Sequence, residues 1–299
     1  MWMAAGWVNR NVPIPDNRAL PAATGPVPGG ALKRREFLAS SLAASALALG
    51  SRVEAAPAGA DPATGKPRQY YELRKYDLQQ GHQSQLTGKY VADALIPALN
   101  KMGIGPVGAF NLFFGEHTPI LYLLLPANNL DTLVNAELKL RQDENFLAAA
   151  DAFWNAPESS PPFQHVESSL LIAFESWPQL VLPPPGKNGR RVFQLRSYIS
   201  ATNRDHVRKV KMVQSGESEI FARAGFWQVF FGDALIGHDL PNLTYMLSFS
   251  DLTEVNDLWN KFFSDPQWKK LAAMPEFSFE PIVANVTSLI LNPAPFSQI

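Results

Sequence analysis

Two segments of this chain carry the same alternating set of side chains that could do chemistry: Glu72, Arg74 and Tyr76 in the first, and Gln194, Arg196 and Tyr198 in the second. If each segment is a β-strand, its three side chains lie on one face. A guanidinium is permanently charged and donates hydrogen bonds to carboxylates and other oxygen-rich groups. The pattern therefore predicts either a structural ion pair or a site for an anionic or oxygen-rich ligand.

The identity of the arginine's partner decides between these alternatives. An arginine in an enclosed space needs a partner, because an unpaired buried charge is costly. Glu72 lies two residues from Arg74 and is the simplest partner, which favours a structural pair. Gln194 is neutral, so Arg196 lacks the equivalent carboxylate. Because of that difference, the alternative to a structural pair is a ligand that these six residues bind.

His165 is a weak candidate for a catalytic residue. It shares a predicted strand face with Glu167 and Ser169, where it could transfer a proton or ligate haem. A single histidine on a strand can equally be only hydrogen-bonded or exposed. The chain's 5 histidines form no H-E-x-x-H or other close ligand spacing. No metal site is predicted, and haem has no further support.

Composition excludes several classes of protein. The chain has 299 residues and no cysteine, which excludes disulfides and thiolate catalysis. A net charge of -1 argues against nucleic-acid binding, which needs clustered basic residues. No apolar run is long enough for a membrane-spanning helix. Residues 103–108 match G-x-G-x-x-G, but the match follows a predicted helix and opens a predicted strand, the reverse of a dinucleotide site.

An internal repeat with an offset of 122 residues organises residues 69–292. Residues 72–76 match residues 194–198, and the same offset carries Gly103 onto Gly225 and Asp143 onto Asp265. In the first copy the periodicity predicts strands and helices in this order: strand 70–77, helix 81–101, strands 107–114 and 120–125, helix 129–140, a short helix at 146–154, and strand 163–174. This is a βαββαβ, ferredoxin-like unit.

The repeat predicts an α+β fold of two tandem units. One unit leaves a sheet face that must be covered, so we expect the two sheets to pair face to face as an intramolecular α+β barrel. Because Leu73 suits a helix-covered face, we expect Glu72, Arg74, Tyr76 and their counterparts to point into the barrel. The predicted domains are 69–175 and 191–292, joined by a proline-rich linker at 176–190.

Residues 1–56 predict an export signal. Arg34 and Arg35 precede a short apolar stretch and a small-x-small cleavage context, which resembles a twin-arginine signal. We therefore expect a bacterial protein that is exported to the periplasm or beyond it.

The strand motif at 71–76, the helix behind it and Gly103 resemble the opening of a NIPSNAP domain, and residues 193–198 resemble a second opening. The resemblance implies the dimeric α+β barrel fold, whose superfamily also contains small monooxygenases and chlorite-dismutase-like haem proteins. It implies no reaction for the NIPSNAP branch.

Two functions remain open. In the first, the barrel binds or transforms a small organic molecule in a cavity between the sheets, as a cofactor-independent monooxygenase-like or isomerase-like protein if it is an enzyme. In the second, it is a non-catalytic interaction or scaffold protein of the cell envelope. The sequence leaves room for a homo-oligomer.

Overall fold

The computed structural model describes residues 67–115, 117–185, 191–277 and 282–299. They form two copies of a βαββαβ unit, as predicted. The strands are β1 (Tyr70–Asp77), β2 (Gly108–Phe114), β3 (Ile120–Ala127) and β4 (His165–Ala173) in the first half, and β5 (Val192–Ile199), β6 (Trp227–Ile236), β7 (Asn242–Phe249) and β8 (Asn285–Pro293) in the second. The export motif at Arg34 and Arg35 lies outside the described residues.

The helices lie in equivalent places in the two halves. The first half has α1 (His82–Tyr90), α2 (Ile96–Lys101), α3 (Leu130–Val134), α4 (Ala136–Leu140) and α5 (Glu144–Trp154). The second half has α6 (Asn203–Met212), α7 (Ser218–Ala224), α8 (Leu252–Ser264) and α9 (Pro266–Ala272). Five-residue π-helical turns at Val91–Leu95 and Val213–Glu217 join α1 to α2 and α6 to α7. Where the sequence predicts one helix at 129–140, the structure has the two short helices α3 and α4.

Local signals explain why the two halves fold alike. Asp143 caps α5 by accepting hydrogen bonds from two backbone N–H groups, and Asp265 caps α9 in the same way. Gly225 ends α7 with a φ of 101°, a left-handed conformation that favours glycine, and Gly103 follows α2 with a φ of 77°. The repeated aspartates and glycines therefore mark equivalent helix ends.

The eight strands form a closed barrel in the order β1-β3-β2-β8-β5-β7-β6-β4. Each half contributes a four-stranded antiparallel sheet, and the two sheets join at their edges. Strand β2 pairs with β8, as in Phe110 opposite Pro293, and β4 pairs with β6, as in Ala173 opposite Gly232. One chain thus closes the barrel by itself, and each of the eight described strands is paired along both edges.

Three apolar clusters hold this arrangement together. One fills the barrel with side chains from both sheets, including Tyr71, Phe110, Phe193 and Phe230. The other two lie outside the barrel, each between one sheet and the helices of the same half. The fold therefore has a shared interior and two separate helix-covered layers.

The expected orientation of the first strand is wrong. Tyr71 and Leu73 point into the barrel, whereas Glu72, Arg74 and Tyr76 lie on the outer face under the helices. The alternation of residue types shows which side chains share a face of the strand. Because both faces of this sheet are covered, the alternation does not show which face points into the barrel. The interior of an eight-stranded barrel is just wide enough to be filled by side chains, and large apolar residues occupy it here.

The same correction applies to the second strand motif. Phe193 and Leu195 belong to the barrel interior. Gln194, Arg196 and Tyr198 lie on the outer face beneath the helices of the second half. The two arginines therefore occupy two separate layers and do not share one space between the sheets.

Each half also extends a short tail along the other half. The Phe174 N–H donates to the carbonyl of Phe231 in the second half, and the Ala294 N–H donates to the carbonyl of Ala109 in the first. Trp177 then packs on the helix-covered cluster of the second half, and Phe296 on that of the first. Among the described residues, no helix is long and apolar enough to span a membrane.

Candidate functional site

A cavity lies in the first half, between the outer face of its sheet and its helices. Its volume is about 780 Å³. The predicted residues Glu72, Arg74 and Tyr76 line it from β1. The other lining residues include Ser168 and Leu170 from β4, and Tyr90, Leu133, Glu137, Arg141, Phe153, Trp154 and Phe163 from the helices and the loop before β4.

Arg74 is the polar centre of this pocket. Its Nε donates to Oε1 of Glu72 at 2.7 Å, and the side chains of both residues are 15% exposed. Its Nη1 donates to the Tyr76 hydroxyl at 3.4 Å, and its Nη2 lies 4.0 Å from a carboxylate oxygen of Glu137. Ser168, which lies opposite Arg74 on β4, donates to the same Glu72 oxygen at 2.8 Å. All three guanidinium nitrogens therefore face partners from the protein.

These contacts set the charge of the pocket. Burial by itself would lower the pKa of Arg74, but the charges and hydrogen bonds of Tyr76 and Glu72 outweigh it, so this pKa is raised. Burial raises the pKa of Tyr76, although Arg74 opposes that effect. Arg74 is consequently a cation and Tyr76 a neutral hydroxyl near neutral pH.

The opposite wall of the pocket is aromatic. Tyr90 stacks on Phe153 with ring centroids 3.8 Å apart, and the Trp154 indole N–H donates to the Tyr90 hydroxyl at 3.3 Å. Phe163 packs against Tyr76 with centroids 5.9 Å apart. A cavity with apolar walls and a few convergent polar groups is the usual form of a small-molecule site.

In the second half, aromatic side chains lie where the first half has its pocket. The Trp259 ring covers Arg196, with the guanidinium carbon 4.5 Å from the ring centroid. The Trp259 indole N–H donates to Oε1 of Gln194 at 2.8 Å. Trp259 packs in turn against Phe226, with centroids 5.1 Å apart, and against Phe263, at 5.4 Å. Arg196 therefore has an internal aromatic partner.

Two buried pairs lie next to this cation. The hydroxyls of Tyr198 and Tyr245 are 2.9 Å apart, and burial raises the pKa of Tyr245 well above its usual value. Lys209 donates to Glu217 at 2.6 Å, and the two side chains are 0% and 2% exposed. The first half has Thr87 and Leu95 at the two positions equivalent to Lys209 and Glu217.

The structure brings Glu72, Arg74 and Tyr76 together in one layer, and Gln194, Arg196 and Tyr198 in the other. His165 joins neither group. It lies at one end of the barrel, 62% exposed, with its Nε2 3.4 Å from Glu167. A catalytic role for His165 stays a prediction.

A smaller cavity of about 190 Å³ lies inside the barrel. Its lining includes Lys75, Glu167 and Ser197, and neither arginine reaches it. The expected cavity between the sheets, lined by both arginines, is therefore corrected to a pocket outside the barrel in the first half. No group of three histidine, aspartate or glutamate side chains in the described part of the chain is arranged to hold a metal ion.

Sequence reasoning missed Glu137, Ser168 and the aromatic wall. The repeat contains a signal for Glu137, because its position matches that of Trp259 at the same offset of 122 residues. A charged residue in one copy and a tryptophan in the other, within otherwise similar helices, indicate two different environments. The aromatic wall had no such signal, since its residues come from segments that only the fold brings together.

The arrangement in the first half can bind a molecule that has both an apolar body and a polar group. A carboxylate beside a guanidinium can accept a hydrogen bond or a proton from a ligand, while the cation stabilises negative charge that develops there. The geometry thus fits the recognition of a hydroxyl, an N–H or an enol group.

Comparison with protein families identifies a NIPSNAP segment. Residues 188–298 match the NIPSNAP family model. The matched segment contains the strand motif Gln194, Arg196 and Tyr198. None of the curated proteins matches this chain.

Several solved structures resemble the chain. A candidate monooxygenase from Fusobacterium nucleatum has 10% sequence identity and a TM-score of 0.49, with 76% of this chain and 92% of that chain covered. A candidate monooxygenase from Lactobacillus acidophilus has 11% identity and a TM-score of 0.49, with 76% and 94% covered. A NIPSNAP family protein of unknown function from Agrobacterium tumefaciens has 19% identity and a TM-score of 0.33, with 38% and 98% covered.

Proposed function

We propose that this protein carries two NIPSNAP-type units in tandem and binds a small organic molecule in the pocket of the first unit. The observation that carries the proposal is the cavity of about 780 Å³ around Arg74. Ligand pockets commonly have volumes of about 300–1,000 Å³. The family match at 188–298 supports a NIPSNAP assignment of the second unit, and the repeat extends it to the first.

The polar groups of the pocket support binding over a purely structural role. An ion pair whose only task is to stabilise the fold needs no accessible space beside it. The Arg74–Glu72 pair lines an open cavity, whereas Arg196 in the second unit is covered by Trp259. We therefore assign binding to the first unit alone.

We also propose that the protein is exported through the twin-arginine route. Arg34, Arg35 and the weak apolar stretch that follows them support this proposal. Replacing both arginines with lysine should leave full-length precursor in the cytoplasm. Unchanged export of that double variant would refute the route.

The binding proposal is tested with the mature protein and a library of small organic molecules, by thermal shift followed by calorimetry. Glu137→Trp places an indole where the second unit has Trp259, so we expect it to abolish binding of every library molecule that occupies the pocket. Leu138→Trp is the matched control, since Leu138 lies on the same helix and is 52% exposed. If no library molecule binds in a way that depends on Glu137, the pocket is not a binding site.

A further inference from the structure

The second unit shows what kind of group fits over the arginine of this fold. In it, Trp259 presents a flat aromatic face to the Arg196 guanidinium, at 4.5 Å, and an N–H donor to Gln194, at 2.8 Å. A cation over an aromatic face is attracted by the electrons of the ring. Trp259 thus makes two contacts at once, one by stacking and one by hydrogen bonding.

The first unit keeps the arginine but lacks the tryptophan. Arg74 takes the place of Arg196, and Glu72 takes the place of Gln194. Glu137 stands at the position of Trp259, and its side chain is 51% exposed. The indole that fills the second unit is therefore replaced in the first by a smaller side chain and an open pocket.

The N–H groups of a guanidinium lie in its plane, so hydrogen bonds to them do not occupy its faces. In Arg74, Nε donates to Glu72, Nη1 donates to Tyr76, and Nη2 lies 4.0 Å from Glu137. A ligand can therefore approach Arg74 by stacking on the guanidinium without breaking these contacts. A bidentate salt bridge to a ligand carboxylate would have to displace Glu72.

Glu72 offers the second contact. Its Oε1 already accepts from Arg74 and Ser168, whereas its Oε2 accepts no hydrogen bond from the described residues. A free carboxylate oxygen beside an aromatic-lined cavity is an acceptor for an O–H or N–H group of a ligand.

The charges of the pocket argue against an anionic ligand. Two arginines, Arg74 and Arg141, line it together with two glutamates, Glu72 and Glu137. Arg141 lies 3.1 Å from a carboxylate oxygen of Glu137, so each cation already has an anionic partner. A third negative charge would face these two carboxylates, and both arginines are already paired.

We infer that the pocket takes a neutral, planar aromatic molecule with an O–H or N–H donor, stacked on Arg74 and donating to Glu72. The inference rests on the proposed function and specifies its ligand class. In the second unit, Trp259 makes the two contacts that such a ligand would make in the first: stacking on the arginine and donating a hydrogen bond to the residue beside it.

The test compares three naphthalenes that differ in one group, by calorimetry on the mature wild-type protein. 2-Naphthol has the donor, 2-methoxynaphthalene has the same ring system without it, and 2-naphthoate is the anion. We expect 2-naphthol to bind about tenfold more tightly than 2-methoxynaphthalene, the difference typical of one hydrogen bond to a charged acceptor. We expect 2-naphthoate to bind most weakly.

The site of binding is checked with the same pair of variants. Glu137→Trp should abolish 2-naphthol binding, and Leu138→Trp should leave it unchanged. Because the ligand comparison uses the wild-type protein, it does not depend on how well either variant folds.

Three results would overturn the inference. They are equal affinity for 2-naphthol and 2-methoxynaphthalene, tighter binding of 2-naphthoate than of 2-naphthol, and no binding of any of the three. In each case the proposed function survives if another molecule of the library binds in a way that depends on Glu137. It fails as well only if no such molecule is found.

Discussion

The two halves of the molecule carry an arginine at the same strand position but surround it differently. In the first half, Arg74 pairs with Glu72 and lines a cavity of about 780 Å³. In the second, Arg196 has a neutral glutamine beside it and the Trp259 ring over it. The duplicated fold thus retains a cation in both layers. In the first half it lines an open pocket, and in the second a tryptophan ring covers it.

The difference extends to the buried charges. The second half carries the Lys209–Glu217 pair and the Tyr198–Tyr245 pair close to Arg196. At the equivalent positions the first half has Thr87, Leu95 and, in place of Tyr245, Leu123. A densely packed layer with internal polar pairs is suited to structural support, and an open layer is suited to binding.

Separating the halves should have the largest effect, because each half leaves its share of the barrel interior and two strand edges uncovered. We expect residues 57–182 alone to be insoluble or to self-associate, since the pairings β2–β8 and β4–β6 are lost. Size-exclusion chromatography with light scattering gives the state of the fragment. A stable, soluble monomer would show that the halves fold independently.

Breaking the buried ion pair of the second half should have the next largest effect. Lys209→Thr leaves the Glu217 carboxylate buried without its partner, so we expect a loss of about 3–5 kcal/mol in the free energy of unfolding. The double variant Lys209→Thr with Glu217→Leu reproduces the residues of the first half. It should recover most of that loss in urea unfolding, and a double variant as unstable as the single one would contradict this explanation.

Removing the aromatic cover of Arg196 should make the second half resemble the first. We expect Trp259→Ala to cost about 3 kcal/mol, at the low end for such truncations because the side chain is only half-buried. Glu137→Ala, the equivalent change in the first half, should cost less than about 1 kcal/mol, since the side chain is 51% exposed.

Added indole should raise the melting temperature of Trp259→Ala by refilling the space. The control ligand is 1-methylindole, which has the same ring without the N–H donor to Gln194, and it should raise the melting temperature less. Equal rescue by both ligands would show that stacking on Arg196 acts without the hydrogen bond.

A further effect concerns alkaline pH. Burial raises the pKa of Tyr245 above its value in the unfolded chain, near 10. Above pH 10 the unfolded chain therefore releases a proton that the folded chain keeps, and the free energy of unfolding falls as the pH rises. Tyr245→Phe should reduce that slope by up to about 1.4 kcal/mol per pH unit in urea melts between pH 9 and 11. An unchanged slope would show that Tyr245 does not contribute.

Much of the fold was predictable because it depends on local signals that occur twice. The alternation in residues 70–77 and 192–199 identified β1 and β5, and the repeated aspartates and glycines marked equivalent helix ends. The single helix expected at 129–140 is instead divided at Asn135, which adopts a non-helical conformation between α3 and α4. The break comes from the conformation of one residue, so the periodicity of apolar residues along the segment does not predict it.

The candidate site was predictable only in part. The sequence identified Glu72, Arg74 and Tyr76 as a group, and the structure places them together at one pocket. The sequence did not show that Tyr90, Phe153 and Phe163 form the facing wall, because these residues approach β1 from segments that are distant along the chain. The comparison of Glu137 with Trp259 was available in the repeat and would have marked the asymmetry.

The sequence by itself determined the order of the elements, their duplication and the sets of side chains that share a face, since all of these follow from residue periodicity. Only the tertiary structure decided which face of each strand points into the barrel. Both faces of each sheet are covered, so the choice depends on which side chains fit the narrow interior of the barrel. Tyr71, Phe110 and Phe230 pack there. The polar set therefore lies outside the barrel, under the helices. At equivalent positions there, the first half has Glu137 beside a pocket and the second half has Trp259 over Arg196.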